Sequence, residues 1–172
     1  MQNHIFRLES IWLLLPPLAL CALDLALTLY GQSEQYWSGE YGAMSEVSPS
    51  FAAYLAISPF AFLLAGLLWM AIFSALIVIL PEMLAMTLAI AVMLGHLNGA
   101  FTWLTYRFES YQASNTLFLL TAVLIVIAFR KGRSDTGRAA LDWSQIPLPA
   151  WSRWVLVVTL LLLPIWWFLI PH

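Results

Sequence analysis

The sequence predicts an all-α fold, a polytopic bundle of transmembrane helices with five spans. Three observations predict it. Of 172 residues, 62% are hydrophobic and only 9% charged, where soluble domains run nearer half apolar and a quarter charged. Five apolar stretches approach the roughly 20 residues that a helix needs to cross a bilayer. The basic residues then segregate to one side of those stretches, as the positive-inside rule requires.

The first span covers residues 11–30 and carries Pro16 and Pro17 in its first half. A proline inside a helix removes a backbone donor, so this pair should kink the helix or delay its start. The lone cysteine, Cys21, lies in this span, so no intrachain disulfide forms. Leu18-Ala19-Leu20-Cys21 is like a lipoprotein signal box. That box needs a small residue before the cysteine, and Leu20 is not small. The apolar run also continues to Tyr30, so the segment reads as a retained helix. Gln32 to Ser50 forms a loop with Glu34, Glu40 and Glu46 and no basic residue. Its Tyr36, Trp37 and Tyr41 read as interfacial anchors.

Pro59 divides the next apolar run, giving a short interfacial helix at Phe51 to Ile57 and a second span at 59–80. Pro81 ends that span and Glu82 opens the third, 83–106, after a tight turn. The fourth covers 113–129 and the fifth 153–170, the latter interrupted by Pro164. All five belong to one membrane domain, 1–172. Trp12, Trp103, Trp151 and Trp154 fall near span ends and read as belt residues. With the amino terminus in the cytoplasm, Arg7, Arg130, Lys131, Arg133, Arg138 and Arg153 lie inside and only Arg107 outside. An odd number of spans puts the carboxyl terminus outside, N-in/C-out. The net charge of −2 gives nucleic acid no electrostatic footprint.

Ionisable side chains within spans are expensive and mark function by default. Asp24 in the first span and His96 in the third stand out. Asp24 is six positions before Tyr30 and His96 seven before Trp103, about 9 and 10 Å from the same side at the helical rise. Gly95 and Gly99 flank His96 as a small-x-x-x-small pair that admits a neighbouring helix. Thr28 shares a face with Asp24, and Asn98 points away from His96. Glu46, ahead of Ser48-Pro49-Ser50, is the natural third member. Asp24, Glu46 and His96 suit a divalent metal (zinc, iron or manganese) with open positions for water. In that arrangement Glu46 is a ligand or the catalytic general base. The same groups suit a proton relay, or a polar pair that only holds the first and third helices in register. No H-E-x-x-H, G-x-S-x-G or paired-cysteine spacing narrows the choice.

The stretch from Asp24 to Pro49 resembles an uncharacterised family of small prokaryotic multi-pass membrane proteins. That family has an aspartate and threonine four apart, a glycine, then a Glu-x-Asn-Pro-like element. The matching residues are Asp24, Thr28, Gly31, Glu46 and Pro49, with Ser48 in place of the asparagine and a longer loop. The resemblance covers about a quarter of the chain and implies that Asp24 and Glu46 belong to one outward-facing unit.

The leading expectation is a protein of the prokaryotic inner membrane with an outward-facing Asp/Glu/His site, metal-binding and hydrolytic on a membrane-embedded substrate. Two other classes stand beside it. One is a non-catalytic subunit or assembly factor that meets a membrane-protein partner or a second copy of itself. The other is a small proton- or ion-coupled transporter.

Overall fold

The computed structural model describes residues 8–46, 48–132, 149, 151, 152, 154, 155, 158 and 159. Among these the chain is helical throughout, with no strand. Helix α1 runs Leu8–Tyr30, α2 Glu34–Trp37, α3 Pro49–Ile57, α4 Pro59–Ile79, α5 Glu82–Thr102 and α6 Tyr111–Gly132. A 3-10 turn, Tyr41–Ala43, follows α2, and a π-helical turn, Trp103–Arg107, extends α5.

Four helical segments are long and apolar enough to cross a membrane: Trp12–Tyr30, Pro59–Ile79, Met83–Arg107 and Tyr111–Ala128. They coincide with the first four expected spans. The fifth, 153–170, lies almost wholly outside the described residues. Large apolar side chains cover the outside of the bundle, Phe60, Leu64, Leu67 and Leu68 of α4 among them. In water such a surface would be prohibitive, whereas lipid solvates it. This is a membrane protein.

Proline and serine punctuate the chain as the sequence suggests. Ser58 ends α3 and caps α4, its hydroxyl accepting from the Ala61 N–H at 3.0 Å, with Pro59 at the first helical position, where its missing donor costs nothing. Pro81 separates α4 from α5. Pro16 and Pro17 do not delay the start of α1, which runs from Leu8 and continues through both. Their rings are fully buried, which sets apolar contact against the missing backbone hydrogen bonds.

Helix α1 packs against α4, α5 and α6. Leu13, Cys21 and Leu25 of α1 meet Phe62, Phe73 and Ile77 of α4 and Ala85, Ala89 and Val92 of α5 in one core. Leu20, Met93, Ala100 and Leu117 form a second core toward α6. Gly66 lets Leu25 lie directly on the α4 backbone, and any Cβ there would collide with it. Residues 31–46 fold over the end of the bundle marked by Tyr30. Tyr36 is fully buried there and donates to the Leu55 carbonyl at 3.1 Å. It is thus a core residue, not the interfacial anchor that its loop position suggested, while Trp37 beside it is exposed.

Candidate functional site

Asp24 and His96 meet. Asp24 Oδ2 lies 2.8 Å from His96 Nδ1, joining α1 to α5 inside the bundle, and both side chains are largely buried. Gly99 makes the contact: the Asp24 carboxylate rests where a Cβ at position 99 would be. The partner glycine behaves otherwise. A Cβ on Gly95 would meet nothing within 4 Å, so Gly95 does not face α1 and the expected small-x-x-x-small contact reduces to Gly99 alone.

A third helix joins through Trp69, whose indole Nε1–H donates to His96 Nε2 at 3.2 Å. Trp69 also packs edge-on against Phe73, with ring centroids 5.7 Å apart. Indole nitrogen is a donor only, so Nε2 must carry a lone pair. The proton of the neutral imidazole then sits on Nδ1 and is donated to Asp24 Oδ2. Both bonds together fix the tautomer: an Nδ1–H imidazole between the Asp24 carboxyl group and an indole. The Nε2–H tautomer, the imidazolium and a protonated Asp24 donating to Nδ1 each place hydrogen opposite hydrogen at Trp69.

Sequence reasoning missed Trp69, although a signal was present. It stands ten positions from each end of α4, in the middle of a span. An indole there is off the interfacial belt, and its N–H needs a buried acceptor.

Glu46 does not complete a metal centre. Its Oε1 accepts from the Ser48 backbone N–H at 2.6 Å, which ties the acid to the start of α3. Among the described residues no three His, Cys, Asp and Glu side chains are placed to hold one ion. The centre expected from Asp24, Glu46 and His96 is therefore not assembled. Two-residue spacing from carboxylate to backbone donor is a common local closure, and it competes with the long reach that a ligand role would need.

Thr28 is buried one turn beyond Asp24. Beyond it the buried Gln32 closes the loop. Its amide nitrogen donates to the Thr28 and Ser45 carbonyls at 2.7 and 3.0 Å, and its oxygen accepts from the Ser45 N–H at 2.8 Å. Arg107 donates from Nε to the Gly31 carbonyl at 2.9 Å, and Trp103 covers Gly31 so closely that a Cβ there would strike the ring. Thr105 and Ser114 share a buried hydrogen bond at 2.8 Å between the π-turn and α6. Comparison with protein-family models, curated proteins and solved structures finds no match. The class defined by fold and site is a multi-helix membrane protein with an intramembrane carboxylate–imidazole–indole chain.

Proposed function

We propose that this chain is a small proton-coupled transport protein of the prokaryotic cytoplasmic membrane, N-in, with Asp24, His96 and Trp69 as its proton-binding unit. The observation that carries this reading is the occupancy of both His96 nitrogens by groups from two other helices. Protonation at Nε2 removes the acceptor that holds Trp69 of α4. It also turns the Asp24–His96 hydrogen bond into an ion pair between α1 and α5. Uptake of one proton therefore trades an α4–α5 contact for a tighter α1–α5 contact, which is how a titrating group biases a two-state packing.

The hydrolytic reading is weaker on the same geometry. A metal or a catalytic base needs a lone pair aimed at substrate or water. The Nε2 lone pair is aimed at Trp69, and among the described residues no third His, Cys, Asp or Glu joins Asp24 and His96 around one ion.

Proteoliposomes with an internal pH-sensitive dye test the proposal. Purified wild-type protein should carry protons down an imposed gradient faster than empty vesicles, and Asp24→Asn should abolish the excess. Wild-type flux no greater than that of empty vesicles overturns the reading.

A further inference from the structure

Among the described residues, the buried polar side chains of the bundle are distributed on one side of the Asp24–His96 pair. Thr28, Gln32, Thr105 and Ser114 all lie between the pair and the Tyr30 end. Thr121 follows Ser114 by seven positions, about 10 Å along α6, while His96 precedes Thr105 by nine, so Thr121 is no deeper than the imidazole. Among the described residues of the other half the buried side chains are apolar: Leu13, Leu20, Phe73, Ile77, Leu80 and Ala89 among them. Bare hydrocarbon of that thickness offers water and protons no partner.

On the polar side the groups are in line. Asp24 and Thr28 share one face of α1 four residues apart; Gln32, just past the helix end, bonds back to the Thr28 carbonyl and is fastened to Ser45 by two hydrogen bonds. We propose that protons reach Asp24–His96 from the Tyr30 end alone, past Thr28, and that the Gln32–Ser45 clasp is the gate on this route. This inference rests on the proton-binding reading of the pair and adds its sidedness and its gate. Titratable groups also flank the route, Tyr30, Glu46 beside Ser45, and Glu109 among them. Cys21 lies on α1 one turn below Asp24, α4 has no titratable residue, and Arg107 of the π-turn and Tyr111 of α6 stand at the Tyr30 end. Arg107, bonded to Gly31, places a positive charge beside the mouth.

Cysteine accessibility tests the inference in the full chain with Cys21→Ala. Single cysteines replace Thr28, Leu20 or the exposed Gly42, and a small membrane-impermeant methanethiosulfonate is added to right-side-out or inverted vesicles. Gly42→Cys identifies the vesicles that expose the Tyr30 end. Thr28→Cys should react in those vesicles only, and Gln32→Met should speed that reaction about tenfold, the factor expected when a buried hydrogen-bonded closure is lost. Gln32→Met keeps the side-chain length and removes both bonding ends. Leu20→Cys should react from neither face. Labelling of Leu20→Cys from the opposite face, equal labelling of Thr28→Cys from both, or no effect of Gln32→Met overturns the proposal. Absent proton flux with the expected labelling pattern defeats the transport reading and leaves the one-sided route standing. Flux with the wrong labelling pattern defeats only the route.

Discussion

Replacing Trp69 with phenylalanine isolates the hydrogen bond that fixes the imidazole. The phenyl ring keeps most of the contact with Phe73, whose centroid is 5.7 Å from the indole, and deletes only the N–H. His96 is 13% exposed, so Nε2 would be left inside the bundle without a donor. An unsatisfied buried acceptor costs about 1–3 kcal/mol. A flip to the Nε2–H tautomer is then no longer opposed by the indole N–H, and it keeps the bond to Asp24 when the carboxyl gains a proton to donate to Nδ1. Trp69→Phe is thus expected to lose about 1–3 kcal/mol of stability and to mix the tautomers. Side-chain 15N NMR of histidine-labelled protein in bilayers reads the tautomer directly, and His4→Gln with His172→Gln leaves His96 as the sole imidazole. Unfolding in mixed detergent micelles reads the stability. Wild type should show an unprotonated Nε2 and Trp69→Phe a mixture, with the exposed Trp37→Phe as the unaffected control. A wild-type spectrum with a protonated Nε2 at neutral pH refutes the assignment, as does an unchanged spectrum and midpoint in Trp69→Phe.

The two glycines beside His96 should respond in opposite ways. Gly99→Ala pushes a methyl into the Asp24 carboxylate and should cost about 1–3 kcal/mol, the range for overpacking, with loss of the Asp24–His96 bond in the same NMR spectrum. Gly95→Ala meets open space and should be neutral or gain up to about 1 kcal/mol from helix propensity; equal losses would show that both glycines face α1. The segment that folds over the Tyr30 end should fail in alkali before the spans do. Burial pushes the Tyr36 phenol above the ordinary tyrosine range, and Tyr41 nearby pushes it further. A raised folded pKa means that the native state holds this proton more tightly than the unfolded state. Its contribution is complete below about pH 10, the unfolded value, and is lost as pH rises through the higher folded value. Tyrosinate absorbance should therefore show one of the six tyrosines ionising last, and Tyr36→Phe should remove that step and cost about 1 kcal/mol through the lost bond to Leu55.

The spans were legible because hydrophobic length in a bilayer is a one-dimensional property. Pro59 and Pro81 marked helix boundaries correctly, whereas α1 runs on through Pro16 and Pro17. Depth was legible too: Asp24 and His96, counted inward from Tyr30 and Trp103, came out level, and they touch. Rotation was not. Which of Gly95 and Gly99 faces α1 depends on how α5 turns against its neighbours, and two residues four apart share a face only to within 40° at 100° per residue. Glu46 was misplaced because a loop acid has many partners within reach, and the nearest backbone donor, Ser48, captured it. Trp69 and Gln32 were overlooked because neither is charged. Each still needed a partner in an apolar setting, and that need was readable from position alone.

The Asp24–His96 bond spans 72 residues of chain, and this separation orders events during synthesis. At about 5–20 residues per second, the carboxylate waits about 4 to 14 seconds before its imidazole has been made. Through that interval the first helix holds an acid without its mate. Its seat near one end of the helix, where Thr28 and Gln32 follow, keeps it within reach of headgroup water. Arrival of the third helix then withdraws that water, so final docking of the bundle is the step at which the acid and the imidazole become one unit.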